Sequence, residues 1–271
     1  MKRLSSLLAP AVAGVVREKN VRSAIAEIRN CQYNGADMID LHITFLENYD
    51  TDSLRKIISS TSLPVLALNY DQNHMLQSIG QTEEERTESL LRAVEAGAAG
   101  IDIQGYTFHT PSKTGYWGDK DYSFTQGNPR EIVTDPAIIE KQCTLIEQVH
   151  SMGAEVLLSC HPNIPMNCQQ VVELAQFLAQ RNPDIIKIVT KANTQEDAGE
   201  AIRTMLELKR QIKIPVSYHA SGQAGSKTRI VNPLLGGQIA FCVDRYNENA
   251  TMEQLHLPTV RAIVDNTRKI Y

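Results

Sequence analysis

The chain of 271 residues has no cysteine pair at C-x-x-C spacing: Cys31, Cys143, Cys160, Cys168 and Cys242 are isolated and odd in number. Neither a zinc cluster nor a complete disulfide framework is indicated, and a reducing, cytoplasmic compartment suits such a set. No run approaches the ~18 apolar residues of a membrane span. Positive charge is not in excess, because 27 Lys+Arg face 31 Asp+Glu for a formal charge of -4. That removes the electrostatic footprint of a general nucleic-acid binder. The histidines show neither H-E-x-x-H nor another compact ligand spacing, so no metal is expected. What is left is a small uncharged or anionic ligand, bound by a soluble globular chain with 42% hydrophobic and 21% charged residues and no low-complexity tract.

The opening Met-Lys-Arg, followed by Leu7, Leu8 and small residues up to Gly14, has the outline of a secretory signal. Pro10 interrupts that outline, and 11–16 reads instead as a first strand. From there short β-branched runs alternate with longer amphipathic segments to the end of the chain. Strands are predicted at 11–16, 38–43, 64–70, 100–105, 155–161, 185–191, 215–220 and 238–243. Helices are predicted at 21–30, 51–60, 83–96, 136–152, 169–181, 195–211, 226–235 and 252–269. Gly35, Gly97 and Gly153 suit left-handed C-caps, and Asp135-Pro136 suits an N-cap followed by a first-turn proline.

Eight βα units in ~250 residues match a single (β/α)8 TIM barrel, an α/β fold, occupying 1–271 as one domain. An open doubly wound sheet would more often carry glycines after its first strand, where this chain has Val-Arg-Glu-Lys-Asn. One connection is long: 106–134 is about 29 residues where βα loops usually take about 2 to 6. It is expected to extend over the C-terminal face as a substrate lid or a contact surface.

Period-two alternation selects the side chains that enter the barrel. On strand six Lys187 and Lys191 share a face, and a lysine inside an apolar strand is either paired or has a depressed pKa. In the first case Asp40 or Asp102 is the partner; in the second the amine is a nucleophile toward carbonyls. His161 ends strand five, one strand away, where it can move a proton next to an iminium. Strand two offers Asp40 and His42, strand three Asn69-Tyr70, strand four Asp102 and Gln104, and strand seven Ser217 and His219. After strand seven the small-residue loop 220–229 exposes backbone N–H groups beside Arg229, which suits a carboxylate or phosphate.

Taken together, Ala36-Asp-Met-Ile-Asp-Leu-His42, Gly100-Ile-Asp-Ile-Gln104, Leu158-Ser-Cys-His-Pro162, Asp184-Ile-Ile-Lys187 and Lys227-Thr-Arg229 with Gly236-Gly237 resemble the type I 3-dehydroquinate dehydratase family over nearly the whole chain. The resemblance implies a hydro-lyase of the shikimate pathway without metal or cofactor, working through a covalent imine on Lys187. It implies that His161 removes the proton beside the iminium, and that Arg229 and Gln254 hold the carboxylate of a hydroxy-ketone or keto-acid substrate. Asp40, His42, Asn69 and Gln104 would line the rest of the pocket, and a homodimer is implied by the family's habit of pairing. Asp40 and His42 stand where the family has Glu and Arg, the strand-three arginine is replaced by Asn69 or Tyr70, and Gln104 replaces a glutamate. A carboxylate supporting the histidine has no clear counterpart near His74. Two other readings compete: a class I aldolase-like carbon–carbon lyase with Lys191 as the neighbouring cation, and a catalytically silent ligand-binding paralogue.

Overall fold

The computed structural model of the chain describes residues 3–70, 81–108, 132–162, 164–248 and 253–269. Eight strands form the barrel: β1 (Ala11–Val16), β2 (Met38–His42), β3 (Val65–Leu68), β4 (Gly100–Gln104), β5 (Glu155–Cys160), β6 (Ile185–Lys191), β7 (Val216–Ser221) and β8 (Ile239–Val243). They are parallel and ordered β7-β6-β5-β4-β3-β2-β1-β8, with a two-residue β9 (Leu255–His256) added beside β8. The seam between β7 and β8 is closed by Gln238 N–H to Val216 C=O at 2.8 Å and by Ile239 N–H to the Ser217 hydroxyl at 3.0 Å. A (β/α)8 barrel is therefore the architecture, as the alternating pattern predicts.

The helices are α1 (Val21–Tyr33), α2 (Thr51–Ile58), α3 (Glu83–Glu95), α4 (Pro136–Ser151), α5 (Cys168–Ala179), α6 (Gln195–Gln211), α7 (Gly222–Gly225), α8 (Thr228–Leu234) and α9 (Leu257–Arg268). Their starts are chemically marked. Thr82 with Glu85, Asn167 with Gln170 and Thr194 with Asp197 form reciprocal capping boxes, which satisfy N–H groups that a helix cannot satisfy internally. Gly35, Gly97 and Gly153 take positive φ of 89°, 106° and 82° at the predicted C-caps. The last helix begins at Leu257 rather than at 252, because Leu255–His256 pair with β8 first and Pro258 then suits the opening turn. The expected short helix at 226–235 is α8, preceded by the separate single turn α7, with Ser226 and Lys227 between them. Among the described residues no helix is long and apolar enough to cross a membrane.

Alternation divides the core into two layers. Leu4, Ala11, Ala13, Val15, Met38, Leu66, Leu157, Ile185, Ile239 and Phe241 form an inner cluster, while Val12, Ile39, Ala67, Ile101, Leu158 and Ile186 pack outward against the helices. Leu4 sits in a 3-10 turn beneath the barrel, tied down by Arg3 and Ser5 on Glu155. Burying apolar surface at ~25 cal/mol per Å² drives both layers, so the polar residues that alternation still sends inward mark the layer where chemistry is placed.

The long segment after β4 is anchored where it leaves and rejoins the barrel. Buried Arg86 donates to Gln104 Oε1, Asn69 C=O and Thr107 Oγ1, and Gln142 donates to the carbonyls of Gly105 and Thr107. Arg181 donates to Gln142 Oε1 and to Val133 C=O on the returning side. The expected lid between these anchors, at 109–131, lies outside the described residues, as does His74.

Candidate active site

Lys187 is inward on β6, and its register with Ser159 of β5 and Ser217 of β7 fixes its height in the barrel. Its Nζ donates to the Tyr70 hydroxyl at 2.9 Å, lies 3.6 Å from Asp102 Oδ2, and sits 4.5 Å from the centre of the Phe241 ring. The sequence left pairing and a depressed pKa as alternatives for this lysine; the structure supplies the pairing, with Asp102 rather than Asp40. Tyr70 donates to Asp102 Oδ2 at 3.0 Å and has His161 Nε2 at 3.4 Å, its ring meeting the imidazole edge-on. Lys187, His161, Tyr70 and Asp102 thus converge from β6, from just past the ends of β5 and β3, and from the middle of β4.

A second group stands on the β1–β2 side. His42 Nε2 faces Asp40 Oδ2 at 3.3 Å, and Arg17 Nε donates to His42 Nδ1 at 3.4 Å. Arg17 follows Ala11, Ala13 and Val15 in the same inward alternation, so the pattern that located the other residues also pointed to it. It brings a cation into a pocket whose strand-two arginine is His42. In the sequence Asp102 is in view as a possible partner of the lysine, and Tyr70 or Asn69 as the replacement for the strand-three arginine.

The other predicted residues are placed as follows. Asn69 is turned outward, not into the pocket: its amide donates to Ser89 Oγ at 2.8 Å and to Gln81, and accepts from Thr44. It lies one residue out of phase with inward Leu66, Leu68 and Tyr70, and therefore serves the contact with α3. Gln104 is inward with its carbonyl held by Arg86 at 2.7 Å. Arg229 is paired with Glu253 at 2.9 Å, and the other Glu253 oxygen takes the Gly222 N–H at 2.9 Å. The backbone donor expected to receive an anion in the 220–229 loop is thus occupied by the chain's own carboxylate. Gln254 is buried beside this pair, and its amide oxygen has no hydrogen-bond partner among the described residues. Among the described residues no group of three or more His, Cys, Asp or Glu is placed to hold a metal.

Burial dominates the electrostatics. It lowers His161 well below the usual histidine range, and the charges of Lys187 and Arg229 push the same way. His219, on β7, is lowered for the same reason, with Arg229, Lys187 and His161 adding to it. His42 falls to about 4 through burial and Arg17, against the opposing pull of Asp40. Burial raises Asp102 to about 6 although Lys187 opposes it. A histidine whose folded pKa is depressed binds its proton more readily unfolded, so its stability contribution is full above about 6.5 and is lost as pH falls toward the folded value. For His42 the loss between pH 7 and pH 5 is about 2 kcal/mol. Asp102, raised from 3.8, takes up a proton in the folded state over the same window and returns about 1 kcal/mol. His161 and His219 add to the loss, so the melting temperature is expected to fall by several degrees between pH 7 and pH 5. Calorimetry at the two pH values checks this; a melting temperature that is unchanged or higher at pH 5 refutes it.

The sequence model of the type I 3-dehydroquinase family matches residues 130–268. A 3-dehydroquinate dehydratase of Alkaliphilus oremlandii is 30% identical over 129 residues, 46% of this chain and 49% of that protein, so this match spans about half of that relative's length. A 3-dehydroquinate dehydratase of Thermodesulfovibrio yellowstonii is 24% identical over 253 residues, 92% of this chain and 91% of that protein. The crystal structure of 3-dehydroquinate dehydratase from Geobacillus kaustophilus is similar in fold, with a TM-score of 0.77 at 15% identity over 99% of this chain and 96% of that chain.

Proposed function

Because the chain belongs to the type I 3-dehydroquinase family, we propose that it dehydrates 3-dehydroquinate to 3-dehydroshikimate, or acts on a closely related cyclic β-hydroxy ketone, through an imine on Lys187. The observation that carries this reading is the placement of the Lys187 amine in the barrel interior, with His161 joined to it through the shared Tyr70 hydroxyl. An amine condensed with the substrate ketone gives an iminium, an electron sink that acidifies the neighbouring C–H. His161 then serves as the base, because burial keeps its imidazole neutral near pH 7. Loss of that proton pushes electrons toward the iminium nitrogen. Their return expels the β-hydroxyl, which leaves as water on taking the proton from His161. Hydrolysis of the product imine restores the lysine. The Phe241 ring beneath Nζ favours the cationic nitrogen of the iminium.

Arg229, with Gln254, is the carboxylate site in this reading. The Glu253 carboxylate now on Arg229 marks where an anion sits and would give way to the substrate's. Asp40 and His42, with Arg17 behind them, face the ring hydroxyls, and Gln104 completes the wall. That the relatives are 3-dehydroquinate dehydratases favours loss of water over cleavage of a carbon–carbon bond and lends no support to a silent paralogue.

The test is to incubate the protein with 3-dehydroquinate, reduce with borohydride, and map the modified peptide. An adduct on Lys187 is expected, with product retaining the full carbon skeleton. A folded protein that gives no adduct, or an adduct only on other lysines, overturns the reading.

A further inference from the structure

The imine chemistry above gives Tyr70 no task, yet its hydroxyl is the point through which the polar layer is connected. It accepts from Lys187 Nζ at 2.9 Å and donates to Asp102 Oδ2 at 3.0 Å. Lys187 and Asp102 are themselves 3.6 Å apart, longer than a hydrogen bond, so the phenol is the bonded link between them. The ring is held against the imidazoles of His161 and His42, with centroids 5.4 and 6.2 Å away, which fixes where the hydroxyl points. The resting hydrogen bonds donate in the order amine to phenol to carboxylate.

We propose that Tyr70 is a catalytic residue of imine formation, carrying a proton from Lys187 to Asp102 before attack and returning it to the carbinolamine hydroxyl as that group leaves. The proposal rests on Lys187 being the imine-forming residue. In the first step the Lys187 ammonium gives a proton to the phenol oxygen while the phenol gives its own to the Asp102 carboxylate. Amine, phenol and carboxylic acid result. The amine attacks the ketone carbon, the carbonyl electron pair moves to oxygen, and proton transfer from nitrogen to oxygen gives the neutral carbinolamine. The acid proton of Asp102 then passes through Tyr70 to the carbinolamine hydroxyl. The C–O bond breaks, water leaves, and the nitrogen lone pair forms the iminium, with Asp102 again a carboxylate. No tyrosinate accumulates, consistent with burial raising the Tyr70 hydroxyl well above its usual range. Asp102, at about 6, has a proton affinity suited to accept and release near neutral pH.

The test uses formaldehyde with excess cyanoborohydride, which reports condensation at each lysine without needing the natural substrate. Exposed Lys56 is the internal standard. In Tyr70→Phe the ring stays and the relay is broken, so labelling of Lys187 relative to Lys56 is expected to slow roughly 10-fold or more. In mixtures of H₂O and D₂O the wild-type rate at Lys187 should bow downward, since two protons move together, whereas the variant should be linear. A merely structural phenol would not change that curvature. Asp102→Asn keeps the side chain's shape but cannot take up the proton, and should lose rate in the same way; it serves if Tyr70→Phe does not fold. Labelling of Lys187 within about threefold of wild type in a folded variant, or a linear wild-type response, overturns the proposal. Failure of the substrate reading is separate: Lys187 would label with formaldehyde and respond to Tyr70→Phe while 3-dehydroquinate left no adduct.

Discussion

Lys187→Ala is expected to lower kcat for 3-dehydroquinate by roughly 10⁴-fold or more, because the covalent step has no substitute once the nitrogen is gone. Lys191 shares the strand face but lies nearer the mouth, two positions beyond Val189. The barrel should remain folded. Removing the cation leaves Asp102 beside a cavity, and a carboxyl already raised to about 6 by burial responds by protonating more readily. Lys187→Arg separates the nucleophile from the charge, since a guanidinium can face Asp102 but does not condense with a ketone. It should be as inactive as the alanine variant. Turnover followed by enone absorbance, with circular dichroism as the folding control, decides the matter. Activity within tenfold of wild type in either folded variant would remove Lys187 from the chemistry.

The fold was legible because the outer layer repeats one instruction: apolar residues alternating on strands, period-3.6 helices, and a cap at most joints. Residues of the inner polar layer were legible to the extent that alternation alone places them. Asp40, His42, Gln104, His161 and Lys187 all fall inward in phase with apolar neighbours such as Met38, Leu157 and Ile185. Asn69 went astray because Asn-Tyr ends a strand, where either phase reads acceptably until Leu66 and Leu68 are known to be inward. Arg17 was overlooked for a related reason. It sits one residue past Val16, in what reads as a turn, although the strand's phase continues through it. Pairings between distant segments were beyond the sequence. Glu253 on Arg229 and Arg86 on Gln104 join positions 24 and 18 residues apart, respectively, through loop paths that no local pattern encodes.

His161→Ala should separate the two halves of the reaction. Condensation depends on Lys187, Tyr70 and Asp102, none of which touches substrate carbon through His161, so the imine should still form. Proton removal and departure of the β-hydroxyl lose their base, and kcat should fall by roughly 10²–10⁴-fold. The trapped species then changes identity. Wild-type enzyme reduced during turnover should carry adducts of both substrate and product, which differ by one water. The variant should carry the substrate adduct almost alone, still on Lys187. The wild-type pH profile offers a second view, since a base held well below the usual histidine range has no reason to give a limb near 6.5. An acid limb near 6 would belong to Asp102, whose carboxylate must be ionised to accept the lysine's proton, with activity falling as pH drops through that value. If His161→Ala instead abolishes trapping while Lys187 still labels with formaldehyde, the histidine belongs to substrate binding rather than to proton transfer. Its 3.4 Å approach to Tyr70 would then serve to orient the phenol.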